Sequence, residues 1–260
     1  MTSPIEPRTA SLYHASRASA VEPVVAVAIL TAAIATYLVA AALVPTPLVF
    51  IVAQLALAAT PCATVVIMQA ARPLAALGLR GARPRFFAAA IAIGATAWYL
   101  NTWLVSVLPL PEHQARELQR LVDQPSLPRA LAMFALLPAI CEEILFRGVL
   151  ARALGRRLPL LAAAMISAAV FSAYHVSLIQ ALPTLTLGAM LAVIAIRADS
   201  IAPTMIAHAI NNALAIALSR GDLPELAGWL GRHPLAALAG CATATAGGLA
   251  IAARGTPESG

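Results

Sequence analysis

The chain has 260 residues, 61% of them hydrophobic and only 11% charged, with a mean hydropathy of +0.85. A soluble domain carries roughly 25% charged residues, so this composition excludes an ordinary aqueous domain and indicates a polytopic membrane protein. The net charge of +6 comes from 17 Arg and no Lys. These Arg residues lie mostly between apolar segments rather than in one stripe, a pattern of membrane topology and not of nucleic-acid binding.

In chain order, eight apolar segments are expected near 24–44, 47–71, 86–110, 130–151, 160–180, 183–197, 200–218 and 234–253. Each is close to the ~20 residues that a helix needs to cross hydrocarbon, the sixth being short. Arg8 and Arg17 precede the first, which exceeds the roughly 7–15-residue core of a signal peptide, so an uncleaved first transmembrane helix is expected. Between the third and fourth, PEHQARELQRLVDQPSLP carries both signs of charge, with Leu118, Leu121 and Val122 at helical spacing. That pattern suits a short interfacial helix. The eighth segment, with LAGCATATAGGLAIAA, is rich in small residues that favour close helix packing. The tail GTPESG reads as a disordered end.

With the N-terminus inside, the inner segments hold Arg8, Arg17, Arg72, Arg80, Arg83, Arg85, Arg147, Arg152, Arg156, Arg157, Arg197 and Arg254. The outer segments hold Arg116, Arg120, Arg129, Arg220 and Arg232. Twelve against five places both termini in the cytoplasm. Cys62, Cys141 and Cys241 lack CxxC-type spacing, which argues against a disulfide framework or a zinc finger. The Lys-free, Ala- and Arg-rich composition points to a bacterial inner membrane.

Ionisable groups inside a membrane are costly and mark function. Here they concentrate in three segments. The fourth has Glu142, Glu143 and Arg147, the fifth His175 in VFSAYHVS, and the seventh His208, Asn211 and Asn212 in MIAHAINNAL. Glu143 and Arg147 are four apart and pair along one helix face, with Glu142 rotated about 100° away. His208 and Asn212 share a face by the same spacing. Arg156, Arg157 and Pro159 mark a turn, with Glu142 about sixteen residues before it and His175 about sixteen after. An antiparallel hairpin there puts carboxylate and imidazole at similar depth.

This set suits hydrolysis of an amide bond by activated water. Glu142 is the candidate general base, and His175 the partner that shares the water or shuttles its proton. His208 and Asn212 are donors for a developing oxyanion, while Arg147 neutralises the acids and holds Glu143. No GxSxG is present, and Ser167, Ser172 and Ser177 have no evident base. No cofactor is required. The alternative, a divalent metal such as zinc at Glu142, His175 and His208, lacks an HExxH signature and draws on three separate helices. The same groups also suit interhelical hydrogen bonds or a proton relay. The chain lacks the repeats and paired broken helices of a transporter.

EEILFRG, FSAYH and HAINN resemble, in order and spacing, the motifs EExxxR, FxxxH and HxxxN/D of the CPBP family. These are intramembrane proteases related to the CAAX prenyl endopeptidase and to bacteriocin-processing or self-immunity proteins. Glu142, Glu143 and Arg147 match the first motif, Phe171 and His175 the second, and His208 and Asn212 the third. Asn211 sits beside Asn212, three residues from His208. LGLRG at 77–81 looks like the family's lead-in. The resemblance covers roughly 130–215. It implies an all-α bundle of about eight transmembrane helices whose catalytic core is helices four to seven. It also implies a glutamate-activated water at Glu142 assisted by His175, with His208 and Asn212 as the oxyanion site and Glu143, Arg147, Phe171 and Asn211 in support.

On this reading residues 1–23 form a cytoplasmic segment, 24–128 the N-terminal helices, 129–220 the catalytic core, and 221–260 the last loop, helix and tail. The expected partners are a membrane-associated or lipidated protein or peptide substrate and the bilayer, with no nucleic acid. The other class of function is a non-catalytic immunity or assembly factor of the same fold.

Overall fold

Proline marks many of the helix starts. Pro23, Pro84 and Pro234 each open a helix, where the missing N–H would have had no partner and the fixed φ already suits the turn. The structure, a computed structural model, describes residues 21–44, 48–68, 72–109 and 111–254. Arg8, Arg17 and the GTPESG tail therefore lie outside the described residues.

The apolar runs form α1 (Pro23–Leu43), α2 (Val49–Ile67) and α3 (Pro84–Ser106), with a short turn at Pro73–Ala76 before α3. Next come the polar α4 (Glu112–Asp123) and a continuous helical rod α5 (127–154). The chain continues through α6 (Leu160–Tyr174), α7 (Leu178–Ala198), α8 (Ala202–Ser219), α9 (Pro224–Arg232) and α10 (Pro234–Ala253). Among the described residues there is no strand. The protein is a polytopic all-helical bundle.

Five of these helices, α1, α2, α3, α7 and α10, are long and apolar enough to cross a membrane. The three that carry the polar motifs differ from these. α6 is short, and α8 is diluted by imidazole and amide side chains. α5, though long, carries Glu142, Glu143 and Arg147 and alternates between α- and π-helical turns. The main packing pairs are α1 with α2, α6 with α7, and α3 with both α8 and α10. Small residues set the approach of α3 and α8. A Cβ on Gly94 would lie 2.6 Å from the Ala207 carbonyl oxygen, so only glycine permits that crossing.

α5 is not one regular helix. π-helical turns at Ala132–Leu136 and Glu143–Ala151 flank the α-helical Leu137–Glu142. Such wide turns occur often at functional sites. Pro138 has no N–H to offer the Phe134 carbonyl one turn back, and the Asn212 amide of α8 donates to that carbonyl at 3.2 Å.

One expected boundary is wrong. The fifth and sixth segments are expected to divide between 180 and 183. The chain instead leaves α6 at His175, and exposed Val176 takes a left-handed φ of 48°. Ser177 caps α7, its Oγ accepting from the Gln180 N–H at 3.4 Å. Pro183 sits inside α7, early in the helix. The sixth segment is thus a full 21-residue helix, and His175 lies at a helix end. The polar stretch expected as an interfacial helix forms α4, and its Gln114 Oε1 accepts from the Leu178 N–H at 3.0 Å beside that turn.

At the opposite end, LGLRG docks onto α5 and the α7–α8 turn. Gly78, at φ 74°, offers its carbonyl to the Ile201 N–H at 2.9 Å. Arg152 donates to the Ala75 and Ala76 carbonyls and, through Nε, to Asp199 Oδ1 at 2.8 Å. Arg80 ion-pairs with the same carboxylate. Glu22, just before α1, pairs with Arg156 at 2.7 Å and Arg157 at 3.0 Å.

Candidate active site

The C-terminal half of α5 brings Glu142, Glu143 and Arg147 into the interior, the last two completely buried. Arg147 lies 2.9 Å from Glu143 Oε1, the i,i+4 pair that the spacing predicts, and its guanidinium carbon stands 4.2 Å from the centroid of the Phe171 ring on α6. A buried cation thus has a carboxylate on one side and an aromatic face on another, both favourable in a desolvated setting.

His208, on α8 and 3% exposed, faces both acids. Its Nδ1 is 2.9 Å from Glu143 Oε1 and its Nε2 is 3.9 Å from Glu142 Oε2. A carboxylate oxygen accepts, so Nδ1–H donates to Glu143 and Nε2 is the nitrogen turned toward Glu142. Glu143 therefore fixes the ring while Glu142 and Nε2 look at each other across a gap. Glu142 Oε2 is buried without a hydrogen-bond partner. At 3.9 Å the two atoms are too far apart for a direct hydrogen bond.

Glu142 has a partner that the sequence reading did not include. Gln54, from the middle of α2 and 2% exposed, donates Nε2–H to Glu142 Oε1 at 2.8 Å. The signal for it is a single amide in the otherwise apolar FIVAQLALA, which carries no spacing pattern of its own.

The remaining candidates surround this centre with other bonds. His175 is half-buried, and its Nδ1–H donates to the Phe171 carbonyl at 2.9 Å. Phe171 bridges the two imidazoles, 4.7 Å from the His175 ring and 6.1 Å from His208, centroid to centroid. The matched depth expected of Glu142 and His175 therefore does not make them hydrogen-bond partners. His208 and Asn212 likewise diverge, the ring toward the acids and the amide toward Phe134. Asn211 donates to Asn212 Oδ1 at 3.1 Å, and its own Oδ1 is buried without a partner.

Among the described residues, no three His, Cys, Asp or Glu side chains are grouped to hold a metal ion. The alternative donor set of Glu142, His175 and His208 does not fit zinc in this arrangement, because His175 turns to its own helix and Phe171 stands between the rings.

Comparison with known families gives a match over residues 124–214 to the type II CAAX prenyl endopeptidase Rce1-like family. No curated protein and no solved structure matched the chain. The matched segment runs from the end of α4 into α8 and contains every side chain of the cluster except Gln54. The family is one of proteases, and the five apolar helices make this an integral membrane protein. The polar cluster of α5, α6 and α8 therefore lies within the segment, residues 124–214, that is similar to the Rce1-like type II CAAX prenyl endopeptidase family.

Proposed function

We propose that the protein is an intramembrane endopeptidase that hydrolyses a peptide bond of a membrane-associated or lipidated protein or peptide through water activated by Glu142. The observation that carries this reading is the 3.9 Å separation between Glu142 Oε2 and His208 Nε2, both side chains buried. A water there donates one hydrogen to each acceptor. His208, its Nδ1–H committed to Glu143, therefore faces the water, and Asn212 remains as the oxyanion donor of the pair that the motifs imply. Glu142 takes a proton as the water oxygen bonds to the carbonyl carbon and the carbonyl pair moves onto its oxygen. The same proton then passes to the amine nitrogen as the C–N bond breaks. Glu143 and Arg147 keep His208 aligned throughout.

In the resting arrangement His175 and Asn212 have other partners, and substrate binding turns them toward the water and the oxyanion. Catalytic hydrogen bonds commonly tighten only in the complex. The reading places the site in a bacterial inner membrane with both termini cytoplasmic. It requires no cofactor and no nucleic acid.

The test compares protein N-termini, by mass spectrometry of membrane fractions, in cells carrying wild type, a deletion or Glu142→Gln. Ends lost in the deletion are expected to fall about a hundredfold or more in Glu142→Gln, the scale of a missing general base. Ends that persist in Glu142→Gln but vanish in the deletion would contradict catalysis and favour the non-catalytic immunity or assembly role.

A further inference from the structure

We infer that Gln54 is a positioning residue for the Glu142 carboxylate, an assignment that rests on the protease reading and extends the site beyond the family-matched segment into α2. Three observations converge on it. Gln54 is 2% exposed and donates to Glu142 Oε1 at 2.8 Å. Glu142 Oε2 has no hydrogen-bond partner and stands 3.9 Å from His208 Nε2. Gln54 Oε1 is itself buried and unpartnered.

The terminal torsion of a glutamate is broad and roughly two-fold, so the side chain alone does not decide where its oxygens point. A donor fixed on one oxygen decides it. With Oε1 held by an amide from a neighbouring helix, Oε2 is directed at His208, where the proposed water sits. The hydrogen bond to an ionised group is also among the stronger kinds. The unpartnered Gln54 oxygen disfavours the amide as mere packing, since leucine in this apolar helix would leave no buried polar atom. The amide suits both protonation states of its partner: its N–H donates to the carboxylate, and after a half-turn its carbonyl accepts from the acid.

The experiment uses the full chain in lipid nanodiscs together with the cellular N-terminus assay. The infrared carboxyl band lost in Glu142→Gln belongs to Glu142. Gln54→Met keeps the side-chain bulk and removes the donor. It is expected to move that band and to lower the Glu142-dependent cleavage about tenfold or more, while the amount of folded protein stays near wild type. Gln54→His, which keeps an N–H at similar reach, is expected to recover part of the cleavage, and it decides the matter if the Met variant does not accumulate. An unmoved band, or cleavage that falls only in step with folded protein, overturns the assignment while the protease reading stands. If Glu142→Gln leaves every N-terminus intact, the protease reading fails and the positioning role fails with it. A moved band would then report the hydrogen bond alone.

Discussion

The five apolar helices and the three that carry the motifs are built on opposite terms. α1, α2, α3, α7 and α10 have the length and hydropathy of independent spans. α6 is short, α8 is diluted by polar side chains, and α5 is interrupted by charges and π-helical turns; these three hold Glu142, Glu143, Arg147, His175 and His208. Polar groups in a low-dielectric interior are stable only with partners, so the second set depends on packing against the first. The apolar set also serves the site directly: Gln54 of α2 binds Glu142, and Gly94 of α3 lets α8 come close at Ala207, next to His208. The frame is therefore part of the machinery's geometry, not an inert surround.

This contrast can be broken from the polar side with the largest effect. Arg147→Met leaves Glu143 buried without its cation, and removing one partner of a buried pair costs about 3–5 kcal/mol. Thermal unfolding in nanodiscs and the amount of membrane-extracted protein should both show it. A variant as stable as wild type would mean that the pair contributes little.

A smaller break comes from the frame. In Gly94→Ala the new Cβ would meet the Ala207 backbone at 2.6 Å, an overpacking worth about 1–3 kcal/mol. Because Ala207 adjoins His208, Glu142-dependent cleavage should fall further than stability alone explains. Gly240→Ala in α10, where a Cβ meets nothing within 4 Å, should change neither quantity.

The smallest effect lies outside both sets. The hydrogen bond from Arg157 holds the exposed Glu22 carboxyl below its usual value of 4.5, with Arg156 adding to the pull. A depressed folded value means that any stabilisation is present above the unfolded value and lost as pH falls through the folded one. Glu22→Gln should therefore matter slightly at neutral pH and not at all in acid, as read by thermal unfolding across pH. Equal effects at both pH values would show that the pair is not electrostatic.

Much of this architecture is legible in the sequence because it rests on local patterns. Apolar runs locate the helices, and i,i+4 spacing gives the Glu143–Arg147 pair. The illegible parts depend on non-local geometry. The apolar run hides the break between α6 and α7, which falls at Val176, and Pro183 is tolerated early in a capped helix. The partner of Asn212 is set by Pro138 on another helix through the Phe134 carbonyl. Gln54 is invisible to spacing because its meaning lies 88 residues away at Glu142.

The central claim divides two adjacent glutamates: Glu142 for chemistry and Glu143 for holding Arg147 and His208 in place. The most direct measurement sets Glu142→Gln beside Glu143→Gln, reading cleavage-generated N-termini and thermal stability on the same preparations. The account predicts that Glu142→Gln loses the cleavage while folding nearly as well as wild type, and that Glu143→Gln loses stability first. Retained cleavage in Glu142→Gln, or an equal loss of stability in both variants, would contradict it.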